Sequence, residues 1–178
     1  GDAGRSAAVK REWAPHRGGL YARFEPRLAT AADVAPGARV ASRQASRYLD
    51  LSPIAVMVDL EAGNRVLPGV AHRLEDEIDD VQDARVGAPP PAALEAARAA
   101  AEREARLVME RRREEAVGLL VAHADAEEER LIEAAFAGGA PRERIDGALA
   151  VLRHHRDVVA KAIERVKLDL DAAALIVP

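Results

Sequence analysis

A chain of 178 residues can bury about two thirds of its unfolded surface in one core, so it needs neither disulfides nor metal to fold. A net charge of −4 with 31% charged residues describes a solvated surface and gives no electrostatic signal for nucleic acid. The lack of cysteine excludes disulfides, thiolate zinc sites and thiol catalysis, and fits a reducing cytoplasm.

Hydrophobic residues make up 49% of the chain, but the aromatics are limited to Trp13, Tyr21, Phe24, Tyr48 and Phe136. The core must therefore rest on Leu, Val, Ile and closely packed Ala. The longest apolar run, 116–122, falls far short of the ~20 residues that a membrane span needs. The chain thus reads as cytoplasmic, with no membrane contact.

Residues 1–19 mix Gly, Ala, Arg and Lys without period and read as a linker or arm, followed by a single domain over 20–178. Within it, 20–75 is mainly strands. Leu20, Ala22 and Phe24 alternate with Tyr21, Arg23 and Glu25, the pattern of a short half-buried strand. Residues 29–46, with Pro36 and Gly37, read as a loop. Ile54, Val56, Met57 and Val58 predict a buried strand, 61–64 a turn, and Val66 and Leu67 the returning arm of a hairpin. The acidic run 75–80 leads to Gly87-Ala88-Pro89-Pro90-Pro91, which no helix can cross.

The strongest signal is a run rich in Ala, Glu, Arg and Leu over 92–137, with Gly118 or His123-Ala124-Asp125 as places where it could kink. Gly138-Gly139 ends that helix and Pro141 opens another, with Glu143 in its first turn. The second helix carries Ile145, Leu149, Leu152, Val159, Ile163 and Val166 on one stripe, so 92–166 predicts a helical hairpin. Residues 167–178, with Leu168, Leu170 and Leu175-Ile176-Val177, predict a strand that returns to the sheet. The expected fold class is α+β: a small antiparallel sheet packed with a long antiparallel helical hairpin.

Few residues qualify as chemistry. No glycine-rich turn ending in Lys-Ser or Lys-Thr is present to cradle phosphates. The run Asp76-Glu77-Ile78-Asp79 lacks the apolar strand that should precede the acidic box of a motor, and reads as a solvated face. Leu120, Val151 and Leu152 stand three residues before His123, His154 and His155, so neither His-Glu-x-x-His nor Glu-x-x-His occurs. His155 falls within the apolar stripe and reads as a hydrogen-bonded packing residue, His154 as solvent-facing. No nucleophile elbow surrounds Ser42, Ser46 or Ser52. The sequence therefore assigns no catalytic residue, metal or cofactor.

One feature stands above this background. Arg98, Arg103, Arg106, Arg111, Arg112 and Arg113 outnumber Glu102, Glu104 and Glu110 along the first long helix. Interleaved Arg and Glu ordinarily make a solvated face with weak ion pairs. Arginine also suits bidentate contacts with carboxylate or phosphate, so a protein-partner surface and, more weakly, a nucleic-acid surface stay open. Arg106, Arg111, Arg112 and Arg113 are the candidate partner surface.

Two stretches carry a family resemblance. Arg47-Tyr48-Leu49-Asp50-Leu51-Ser52-Pro53-Ile54-Ala55-Val56-Met57-Val58-Asp59 followed by Gly63-Asn64, and Leu170-Asp171-Ala172-Ala173-Ala174-Leu175-Ile176-Val177, resemble the C-terminal region of the RapA family. These are bacterial RNA polymerase-associated, Swi/Snf-type ATPases. The hairpin falls in the matching place, with Glu128, Arg130 and Leu131 before its turn and Ile145 after it. The resemblance spans about 20–178 and departs from the family at Ala55, at 172–174 and at 138–141.

It implies an accessory or regulatory domain of a helicase-like ATPase that acts in transcription, through RNA polymerase recycling, or in another DNA transaction. ATP hydrolysis would belong to the parent protein, since no motor motif can be carried onto these residues. The implied partner is RNA polymerase or the motor lobes of the parent chain, with weak or no direct nucleic-acid binding. The alternative is a free-standing helical-hairpin adaptor that binds a protein.

Overall fold

The computed structural model of the protein describes residues 6–8, 18–29, 38–75 and 90–177. Most of the 1–19 arm, the acidic run from Asp76 onward, and Gly87-Ala88-Pro89 lie outside the described residues. The elements in chain order are β1 (Ser6–Ala8), β2 (Gly19–Arg27), α1 (Ala38–Ala45), β3 (Ile54–Asp59), β4 (Arg65–Val66), α2 (Val70–Glu75), α3 (Pro91–Ala137), α4 (Arg142–Glu164) and β5 (Lys167–Val177). The fold is α+β, as the hydrophobic patterning predicts.

The elements fall into two compact units. The sheet unit holds the five strands, α2 and α3 as far as Met109. The helical unit holds α1, α3 from Glu110 onward, and α4.

In the sheet unit the strand order is β1-β5-β2-β3-β4. The strands β2 to β5 form an antiparallel sheet, and β1 runs parallel to β5 at its edge. Register explains the burial. Leu20, Ala22 and Phe24 of β2 stand opposite Val58, Val56 and Ile54 of β3, and all six are buried on one face. Tyr21 stands opposite Met57 on the other face, where both cluster with Ala71 of α2 and Ile176 of β5. The half-buried strand expected here is thus corrected: Tyr21 is buried as Leu20 is, so β2 is covered on both faces at its start.

The β3–β4 turn closes as expected. The carboxylate of Asp59 accepts hydrogen bonds from the backbone N–H groups of Glu61 (3.0 Å) and Ala62 (3.3 Å). Gly63 and Asn64 take φ values of 66° and 59°, a left-handed pair that glycine and asparagine tolerate best. Along the first part of α3, Ala97, Ala101 and Ala105 are buried at a spacing of four, a stripe of small side chains that permits close approach, and the large Met109 continues it.

In the helical unit, α3 ends in a Schellman motif. The N–H of Ala140 donates to the carbonyl of Ala135 (3.0 Å), that of Gly139 donates to Phe136 (3.2 Å), and Gly139 sits at φ 64°. Pro141 then caps α4 in extended conformation. Leu149, Val159, Ile163 and Val166 of the expected stripe are buried, and Ile145 and Leu152 are half-buried. The helix α3 continues through Gly118 and His123-Ala124-Asp125. An added Cβ at Gly118 would meet nothing, so that glycine costs helix propensity without breaking the helix.

Two other expectations are corrected. Within 29–46, read as a loop, Ala38–Ala45 is the helix α1, packed against α4. Its buried side is Ala41 and Ala45, continued by Leu49 at the same spacing of four, a pattern that runs for only eight residues directly after Pro36-Gly37. His155, read as a packing residue, is exposed. It lies on the shoulder of the α4 stripe, and Leu152, Arg156 and Val159 take the inward positions.

Candidate partner-binding site

The four candidate arginines have different surroundings. Arg106, in the sheet unit, is exposed and pairs with Glu102 one turn earlier at 2.6 Å. Arg111 is exposed. Arg112 has only 17% of its side chain exposed and reaches Asp50, with its Nε 3.6 Å from the carboxylate and its Nη1 3.4 Å from the backbone carbonyl. Arg113, at 21%, donates from Nη2 to the carbonyl of Val166 at 2.6 Å and also pairs with Glu110.

Arg112 and Arg113 thus tie α3 to the segments that follow α1 and α4, within the helical unit. Three successive residues span a wide arc of a helix, so Arg111 points away from those ties. The arginine run divides into inward struts and outward charges.

A second constellation lies in the same unit. A hollow of about 180 Å³ opens among α1 with the residues after it, α3 and α4. Its floor is apolar, made by Leu120, Leu152 and Val159. Its rim is polar: Gln44, Arg47 and Tyr48 from the first wall, His123 and Glu127 from α3, His155 and Arg156 from α4. The spacing produces this layering, because Leu120, His123 and Glu127 repeat at three and four residues, as do Leu152, His155, Arg156 and Val159.

Geometry inside the rim is specific. The rings of Tyr48 and His123 lie 6.2 Å apart, tilted by 53°. His123 Nε2 is 4.0 Å from the Glu127 carboxylate, which also lies 3.6 Å from Arg130. Arg156 is 3.3 Å from Asp157. The side-chain oxygen of Gln44 is buried and has no hydrogen-bond partner among the described residues.

Nearby on α4, Arg153 donates to Glu128 of α3 at 2.9 Å, and that hydrogen bond and charge raise the guanidinium pKa further above its ordinary value. The pair bridges α3 and α4 at the exposed edge of the hairpin, where solvent screening leaves it little weight in stability.

Among the described residues, no group of three or more His, Cys, Asp or Glu is placed to hold a metal ion, and no helix is long and apolar enough to cross a membrane. The comparisons with known proteins give no match, either to a family model or to a curated protein.

The hollow is invisible to motif reasoning. Its three walls come from distant parts of the chain, and one of them is the helix hidden in the apparent loop. His155 supplied the only trace: a polar residue interrupting an apolar stripe.

Proposed function

We propose that the chain is a non-catalytic accessory domain of a bacterial Swi/Snf-type, helicase-like ATPase, similar to the C-terminal region of the RapA family. It holds a protein partner, either RNA polymerase or the motor lobes of its own parent chain. It works in the cytoplasm, in transcription, where RNA polymerase is recycled, or in another DNA transaction.

The observation that supports this reading is the placement of the two resembling stretches. Ile54–Asp59 forms β3, Gly63 and Asn64 form its left-handed turn, and Leu170 to Val177 lie on β5. Both strands flank β2 in one sheet. The strand and turn residues of both stretches thus share one sheet, while Arg47 to Leu51 and the hairpin residues of the resemblance lie in the helical unit. The outward charges and the lined hollow of the helical unit supply what such a domain needs to grip a partner.

Two experiments test the proposal. The coding sequence upstream of the Gly1 codon should contain a phosphate-binding loop and an acidic box following an apolar strand. A start codon beside Gly1 would contradict the motor parentage and favour the free-standing adaptor. Purified RNA polymerase, or the two-lobed motor fragment, should be retained on the immobilised chain with saturable affinity, and failure of both would contradict the partner assignment.

A further inference from the structure

We propose that the chain associates with a second copy of itself through the outward face of α3 around Gly118, the two helices crossing antiparallel about a two-fold axis beside that glycine. This goes beyond the accessory-domain reading and does not rest on it.

Gly118 gives the first argument. It stands exposed in the interior of a 47-residue helix, where an added Cβ would meet nothing within 4 Å. Among the described residues, no left-handed backbone and no close neighbour calls for glycine there, and it costs the helix about 1 kcal/mol relative to alanine. A second helix laid across it does call for glycine, because the missing side chain lets the two backbones approach closely.

The surroundings of Gly118 give the second. Val121 and Ala122, three and four residues on, are exposed and share its face, so the glycine opens an uncharged patch. The buried residues of this part of α3, Ala116 and Leu120, stand two positions before and after Gly118 and therefore on the far side of the helix. The patch turns away from the core of its own unit.

Charge gives the third argument and fixes the orientation. Arg111 stands seven residues before Gly118 and Asp125 seven residues after it, and seven residues make nearly two full turns, so all three lie on one face. Both charged side chains are exposed, and neither has an ion-pair partner among the described residues. An antiparallel copy centred on Gly118 sets Arg111 of each chain opposite Asp125 of the other, giving two pairs of opposite charge about 10 Å to either side of the crossing. Glu114 and Glu115 then stand across from Ala122 and Val121 of the copy. A parallel copy would instead set Arg111, Glu114 and Asp125 each against its own like charge. Self-complementarity under a two-fold axis is what an interface between identical chains requires. The face is short, so the expected dimer is weak and reversible.

The test is sedimentation equilibrium of the full chain over about 5 to 500 μM at low salt, where charge pairing is least screened. A concentration-dependent equilibrium between monomer and dimer is expected. Arg111→Asp and Asp125→Arg should each weaken it about tenfold or more, because each sets like charge against like. An equimolar mixture of these two variants regains both opposite-charge pairs and should associate as the wild type does, as should the chain carrying both substitutions. Neither recovery can arise from a change in folding of the single chain. Gly118→Leu should block the crossing by a similar factor, while thermal melts at concentrations where the chain is monomeric show equal or higher stability, since leucine is the better helix former and has open space there.

A single monomeric species across the whole range would overturn the proposal. So would single charge variants that associate as the wild type does, a mixture that associates no better than either variant alone, or a Gly118→Leu chain that keeps wild-type affinity.

Discussion

In the sheet unit the strands bury mostly apolar side chains against one another, whereas the helical unit opens a polar-rimmed hollow beside its apolar stripe. Leu20, Phe24, Ile54, Val56, Met57, Val58 and Ile176 leave almost no surface to solvent. In the helical unit, Arg112 and Arg113 reach into the structure to answer Asp50 and the Val166 carbonyl, and Phe136 at the hairpin tip is 78% exposed. A close-packed apolar sheet specifies one structure and tolerates little change. A surface with unmatched polar groups and exposed apolar side chains is poorer as a core and better as an interface. Buried guanidinium nitrogens without a partner among the described residues occur in both units, at Arg23 and Arg98 as at Arg113, so the difference lies in the close apolar packing of the strands.

The largest expected effect comes from breaking the sheet core. Ile176→Asp buries a carboxylate beside Tyr21, Met57 and Ala71, and should lower stability by about 4 kcal/mol or more. Chemical denaturation should show it, and an unchanged midpoint would mean that β5 contributes little to the sheet. Gly19→Val tests the same core by overpacking. A Cβ there would meet the backbone carbonyl of Val58 at 2.9 Å as well as the end of Met57, so a loss of about 1–3 kcal/mol is expected in the same assay.

Arg113→Met probes the struts of the helical unit. It removes a donor from the part-buried Val166 carbonyl while keeping much of the side-chain bulk, and should cost about 1–2 kcal/mol. Arg111→Glu should change stability by less than about 0.5 kcal/mol, because the side chain is exposed. If Arg111→Glu destabilises as much as Arg113→Met, the division of the arginine run into struts and outward charges is wrong.

Strands and the hairpin of helices were legible because their signals are local and strong. The alternation of Leu20, Ala22 and Phe24, the turn residues around Gly63, and Gly138-Gly139 before Pro141 each impose a backbone outcome by themselves. The helix α1 was not, since its apolar spacing spans only eight residues and directly follows Pro36-Gly37, which reads as a break. The candidate arginines were visible as a composition bias, but which of them turn inward depends on Asp50 and Val166, more than 50 residues away in sequence. His155 was misread because one position of an apolar stripe may lie on its shoulder, and only packing decides that. The hollow needs all three walls, so no single stretch announces it.

Hydrogen–deuterium exchange on the chain, alone and saturated with purified RNA polymerase or the motor fragment, tests the partner-binding role proposed for the helical unit most directly. The account predicts added protection on α1 and the residues after it, on α3 around His123, and on α4 around His155, with the exchange of β3 and β5 unchanged. Protection confined to the sheet unit, with the walls of the hollow exchanging as in the free chain, would contradict it.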